Sequence, residues 1–124
     1  MNQKKIIVCD DSWGIQLLFK EYLKDLGFEY LMAKNGKEAI ELLKNNKDIV
    51  LIFIDIEMPV MNGIDTINMI RKTLAPPHKN IPSIVITAHD HNHFLTKLKH
   101  HGFDDYLSKD CTSESIQEVI EKYI

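Results

Sequence analysis

A chain of 124 residues, 44% hydrophobic and 27% charged, is long enough to bury a single core without disulfide or metal staples. Its formal charge of −3, with lysines scattered among acids rather than gathered in a stripe, excludes a nucleic-acid binder that works by net basicity. No apolar run approaches the roughly 20 residues of a membrane span, and Met1-Asn2-Gln3-Lys4-Lys5 leads into too brief an apolar segment for a signal peptide.

The first element is the apolar run Lys5-Ile6-Ile7-Val8-Cys9, a strand that ends in acid at Asp10-Asp11. Ser12 caps the helix that follows, whose apolar face is Ile15, Leu18, Phe19, Tyr22, Leu23 and Leu26, and Gly27 closes it as a left-handed cap. Tyr30-Leu31-Met32-Ala33 reads as a weaker strand. Asn35-Gly36 then turns the chain into a helix carrying Ala39, Ile40, Leu42 and Leu43, which Asn45-Asn46-Lys47-Asp48 breaks. Cys9 and Cys111 are far apart and fit neither a disulfide framework nor a metal motif, so a reduced, cytoplasmic chain is expected, with Cys9 a buried structural thiol.

Ile49-Val50-Leu51-Ile52-Phe53-Ile54 is continuously apolar, the pattern of a strand covered on both faces, and it too ends in acid at Asp55. Met58-Pro59 and Asn62-Gly63 mark a loop. Ile64, Ile67, Ile70 and Leu74 predict a third helix stopped by Pro76-Pro77. Ser83-Ile84-Val85-Ile86-Thr87 is the fourth strand, and a helix around Phe94 to His101, with Leu95 and Leu98, ends at Gly102. Tyr106-Leu107 is a short fifth strand. Ile116, Val119, Ile120 and Tyr123 line the last helix, capped by Thr112 or Ser113. Five strands alternating with five helices predict an α/β fold: a doubly wound parallel sheet in the flavodoxin-like order 2-1-3-4-5. The switch point of that order lies between strands one and three, the two that end in Asp10-Asp11 and Asp55.

Thr87 ends the fourth strand and Lys109 follows the fifth, so they join the acids at the carboxyl edge of the sheet. Three carboxylates in one crevice repel unless a cation intervenes, and an all-oxygen donor set suits Mg²⁺ or Mn²⁺. A site of this kind draws a phosphoryl group. Lys109 supplies a point charge to it and Thr87 a hydroxyl, while an aspartate is a competent nucleophile for an acyl phosphate. Each residue alone reads more simply: a strand-end Asp as a cap, Thr87 as a strand terminus, Lys109 as surface. Their conjunction at one edge of one sheet favours Asp55 as the group that takes a phosphoryl.

Asp10-Asp11, Asp55-Ile-Glu-Met-Pro-Val-Met-Asn-Gly63, Thr87-Ala88 and Tyr106-Leu-Ser-Lys109, with the Ala33-Lys-Asn-Gly36-Lys-Glu-Ala39 turn, resemble the receiver domain of two-component response regulators over the whole chain. The resemblance implies one receiver domain over residues 1–124, without an output domain, in a two-component system or phosphorelay. It implies that Asp55 is the phosphoacceptor, loaded by a histidine kinase or histidine phosphotransfer protein. Asp11, Asp55 and the backbone carbonyl of Glu57 would hold Mg²⁺, with Asp10 in support and Mn²⁺ as a substitute. Thr87 and Lys109 would grip the phosphoryl oxygens, and Tyr106 matches the aromatic switch residue. The partner downstream would be a protein target or a fused output domain, with no direct nucleic-acid or membrane contact. Glu57 and His89 match positions that tune phosphoryl lifetime. Where the family usually has proline after the lysine, this chain has Asp110; a non-proline cis bond costs about 2.5–4 kcal/mol, so a trans Lys109–Asp110 peptide is expected.

Rival readings remain at this point. A metal-dependent phosphatase with Asp55 as nucleophile needs a second acid, for which Glu57 is a poor substitute, and the chain has no insertion to form a lid. A phosphorylation-independent interaction module conflicts with the intact acids and Lys109. A flavodoxin-like cofactor carrier would set an anionic cofactor against three carboxylates. His89, His91 and His93 alternate with Asp90 and Asn92. A solvated helix start is favoured there over a transition-metal site, although His89 and His93 are spaced to share a helical face. Tyr106 has a plainer alternative as an aromatic packed on a helix with its hydroxyl in water.

Overall fold

The protein's structure, a computed structural model, describes residues 4–124; Met1 to Gln3 of the lead-in lie outside the described residues. Five parallel strands, β1 (Lys5–Cys9), β2 (Glu29–Ala33), β3 (Ile49–Asp55), β4 (Ser83–Thr87) and β5 (Asp105–Ser108), form one sheet in the order β2-β1-β3-β4-β5. The helices are α1 (Trp13–Asp25), α2 (Gly36–Asn45), α3 (Gly63–Thr73) and α5 (Ser113–Tyr123), with an irregular α4 over residues 91–101 between β4 and β5. The expected fold and strand order are the observed ones.

Alternate residues of the strands feed two separate cores, as parallel strands covered on both faces require. Ile6, Val8, Leu51, Phe53, Ile84 and Ile86 pack on Phe19 and Leu23 of α1 and on Ile116 and Ile120 of α5. Ile7, Cys9, Ile52, Ile54 and Val85 pack on Ala39, Ile40 and Leu43 of α2, on Ile67 and Ile70 of α3, and on Phe94 and Leu98 of α4. After β1 the chain therefore leaves to one face, and after β3 to the other. The divergence opens a crevice above the ends of these two neighbours.

Local signals set the helix ends. The side chains of Ser12, Asn35, Asn62 and Thr112 accept from the backbone N–H three residues on and cap α1, α2, α3 and α5. Gly27, at φ 85°, follows the end of α1 as expected. The sequence placed α4 from Phe94. It begins earlier, as an α-turn at His91–His93 capped by Asp90, whose Oδ1 accepts from the His93 N–H at 2.9 Å. It then widens into a π-helical stretch, Phe94–Leu98, and tightens into a 3₁₀ turn, Lys99–His101. Phe94 and Leu98 point inward, which turns Leu95 outward, 40% exposed, where the sequence put it on the apolar face. Gly102 ends α4 at φ 113°.

Arg71 at the end of α3 fastens this corner. Its Nε and Nη2 donate to the Gly102 carbonyl at 3.1 and 2.9 Å, its Nη1 to the carbonyls of Lys79 and Ile81 at 2.8 Å each, and Nη2 pairs with Asp104 at 3.0 Å. Among the described residues no helix is long and apolar enough to cross a membrane.

Candidate functional site

Strand register assembles the site. Cys9 of β1 lies opposite Ile54 of β3, so the next residue of each, Asp10 and Asp55, leave the sheet side by side. Asp55 lies opposite Ile86, and Thr87 opposite Ser108, which brings Thr87 and Lys109 to the same edge. A carboxylate oxygen from each of Asp10, Asp11 and Asp55 falls within 4.8 Å of the others. Asp10 and Asp55 are buried and Asp11 is exposed. The residues that the sequence singled out as acids and partners are thus brought together.

Their hydrogen bonds are unequal. Asp10 Oδ1 accepts from the Ser12 N–H at 2.8 Å, whereas its Oδ2 is buried with no partner. Asp55 Oδ1 accepts from the Glu57 N–H at 3.3 Å and its Oδ2 from Lys109 Nζ at 3.2 Å. Burial pushes the Asp10 carboxyl up to about 6; the Ser12 N–H opposes the rise and the neighbouring Asp55 charge adds to it. Burial also raises Asp55, against the hydrogen bond and charge of Lys109. Burial lowers the Lys109 ammonium, but the bond to Asp55 and its charge outweigh this, and the net direction is upward. The site holds more negative charge than one lysine answers. An unpartnered buried carboxylate oxygen among all-oxygen donors is the chemistry that a hard divalent cation satisfies.

The loop after β3 frames the cleft. A Cβ on Gly63 would overlap the Asp55 carbonyl oxygen, and the Gly63 N–H donates to the Ile56 carbonyl at 2.8 Å. Only glycine lets α3 start this close to the acid. Val60 takes φ 66° and the Met61 N–H closes on the Pro59 carbonyl at 2.6 Å, a γ-turn whose central residue is β-branched. A cleft of about 400 Å³ opens beside Asp55, lined in part by Glu57, Thr87, His89, His93 and Lys109.

Thr87 is buried, its Oγ1 accepting from the His89 N–H at 3.0 Å, and its carbonyl accepts from the Lys109 N–H at 2.9 Å. Glu57 is exposed at the cleft. Tyr106 is half-buried, its ring stacked on Phe94 with centroids 5.3 Å apart and tilted against His91 at 5.3 Å. It therefore bridges β5 and α4, in keeping with either sequence reading of it. The Lys109–Asp110 peptide is trans; among the described residues the cis bond is Pro76–Pro77. The His89 and His93 rings lie with centroids 4.0 Å apart and planes tilted by 30°, but His89 precedes the Asp90 cap rather than sharing the helix. Among the described residues, the metal-competent group of three is the aspartates. Cys9 is buried with its Sγ 3.4 Å from Met58 Sδ, and burial raises its thiol far above the usual range, the setting of a structural thiol.

One residue of the site escaped the sequence reading. Gln16 is buried on the inner face of α1, and its Nε2 donates to the carbonyls of Asp10 at 2.7 Å and of Val8 and Ala33 at 3.1 Å each. The available signal was a polar residue among the apolar positions of a helix, one turn after the acidic pair.

Residues 6–121 match the family model of the response regulator receiver domain. The chain is 29% identical over 125 residues to sporulation initiation phosphotransferase F of Bacillus subtilis, covering 100% of this chain and 96% of that protein. It is 31% identical over 128 residues to hybrid signal transduction histidine kinase I of Dictyostelium discoideum, covering 100% of this chain but 7% of the kinase. The chain also spans less than half the length of several other curated relatives that it matches. Among solved structures, the response regulator TrrA of Thermotoga maritima, determined in complex with Mg²⁺-BeF, is similar with a TM-score of 0.83 and 31% identity, over 98% of this chain and 100% of that one.

Proposed function

The chain belongs to the response regulator receiver domain family, and from that premise we propose that Asp55 accepts the phosphoryl group. The chain is a signalling receiver rather than a classical enzyme; the phosphatase and the phosphorylation-independent readings are not favoured beside relatives of this kind. The observation that carries the assignment is the convergence of three carboxylates within 4.8 Å, with Lys109 bonded to Asp55.

In the proposed reaction an Asp55 carboxylate oxygen attacks the phosphorus of a phosphohistidine on a histidine kinase or phosphotransfer protein. The P–N bond breaks and the imidazole leaves with the electron pair, taking a proton from solvent. Asp10, Asp11, Asp55 and the Glu57 carbonyl would hold Mg²⁺, or Mn²⁺ on the same oxygens. When bound, the cation neutralises the carboxylates and attracts the phosphoryl oxygens. Lys109 exchanges Asp55 Oδ2 for a phosphoryl oxygen. Thr87 Oγ1 already accepts from His89, so its own O–H is the donor offered to the phosphate.

Adding a charge of roughly −1.5 to −2 changes the preferred positions of Thr87 and Lys109. Tyr106, packed on Phe94 and His91, links that change to α4 and so to the surface offered to a downstream protein. We assign these roles to residues 1–124 as one receiver unit, in a cytoplasmic setting. The test is Mg²⁺-dependent incorporation of phosphate from acetyl phosphate or a histidine kinase. Wild type should be labelled and Asp55→Asn should not; equal labelling of the variant overturns the assignment.

A further inference from the structure

We infer that Gln16 is a positioning residue for the acidic pair: its amide sets the direction of the Asp10–Asp11 peptide and thereby the presentation of Asp11 to a divalent cation. The inference rests on the reading of the three aspartates as a Mg²⁺ site. Gln16 occupies a core position of α1, 5% exposed, alongside the buried Phe19 and Leu23. Three carbonyl oxygens face one end of its amide, and carbonyls only accept, so that end is the NH₂ group. Two hydrogens serve three acceptors, with the shortest bond, 2.7 Å, going to Asp10.

The other end of the amide is costly. Gln16 Oε1 is buried without a partner, a penalty that a leucine in the same place would not carry. An amide kept at that cost is explained by what its NH₂ holds. The Ala33 carbonyl accepts from Gln16 and, at 3.0 Å, from the Asp10 N–H as well, so the end of β1 is pinned to β2 and α1 together. The Asp10 carboxylate has a tether of its own in the Ser12 N–H. The exposed Asp11 side chain takes its direction from the peptide before it, and that peptide's oxygen is the one Gln16 grips.

The test compares Mg²⁺ affinity of wild type, Gln16→Leu, which keeps the volume and removes the donors, and Leu23→Ala, which loosens the same helix away from the acids. Backbone amide shifts of Asp11 and Asp55 in a MgCl₂ titration give the affinity of the folded protein. The expected result is at least a tenfold loss for Gln16→Leu and less than a twofold change for Leu23→Ala. Retained affinity in Gln16→Leu, or an equal loss in both variants, overturns the role. If Gln16→Leu does not fold, the wild-type side-chain NH₂ signals of Gln16 decide: a shift with the same midpoint as Asp11 supports the role, and unmoved signals sink it. Absence of any wild-type Mg²⁺ response condemns the metal site itself, a result distinct from the failure of Gln16 alone.

Discussion

Asp10 is a carboxylate whose burial disfavours its charged form. Burial lifts the pKa of its carboxyl from 3.8 to about 6, so between these values the folded chain binds a proton that the unfolded chain has released. Without metal, this group's contribution to stability is therefore fully present below about pH 4 and is lost as pH rises through 6. The loss is on the order of 3 kcal/mol for this group, and Asp55 shifts in the same direction. Urea titrations in EDTA should therefore find Asp10→Asn more stable than wild type at pH 7 and equal to it near pH 4. Mg²⁺ at pH 7 should raise wild type much more than the variant. A second residue-level expectation concerns Glu57 and His89, which flank the cleft. The double substitution to Ala should change the dephosphorylation rate of Asp55 severalfold, and an unaltered rate would remove both from the chemistry. The acids were legible in the sequence because a charge ending a doubly buried strand must emerge somewhere polar. Gln16 was not, since its value lies in three carbonyls supplied by two strands that no helical periodicity reveals.

The strands are the elements that the sequence announces most clearly. β3 and β4 carry unbroken apolar runs, and sheet burial on both faces leaves no other reading of their length. α4 is where reading stopped short. Its first turn is His91–His93, polar and without apolar period, so only the Asp90 cap marks its start. The later π-helical widening answers to packing of Phe94 and Leu98 on the sheet and not to local preference. The loop between β3 and α3 yields two stability predictions. Val60 sits in a backbone region that β-branched residues avoid, so Val60→Gly should stabilise the fold by about 1 kcal/mol in chemical denaturation. Gly63→Ala should cost on the order of 2–4 kcal/mol, since its methyl must displace the Asp55 backbone, and it should impair phosphate incorporation as well. The same two variants measured together separate strain in the turn from crowding at the acid.

Across the whole molecule, two cores divided by one sheet hold the helices unequally. α1 and α5 lock onto one face through Phe19, Leu23, Ile116 and Ile120, while α4 holds the other with just two fully inward side chains, Phe94 and Leu98. Hydrogen exchange on loading Asp55 with acetyl phosphate and Mg²⁺ should therefore change at residues 87–98 and in β5, and remain constant in the centre of β1 and β3. Uniform protection throughout would mean that the charge at Asp55 is not transmitted. Fold class and strand order could be read from the alternation of elements alone, but this asymmetry of attachment could not, because it depends on which helix residues meet which strand face.

The grip of Arg71 on the Gly102 carbonyl and on Asp104 gives α4 a fixed heel. Its toe, at His91–His93, rests on one capping aspartate and on ring contacts with Tyr106 and His89. A door hung this way swings at the free edge, so a binding protein that senses the loaded form has most to gain by touching the corner of His91 and Tyr106, and little by touching His101.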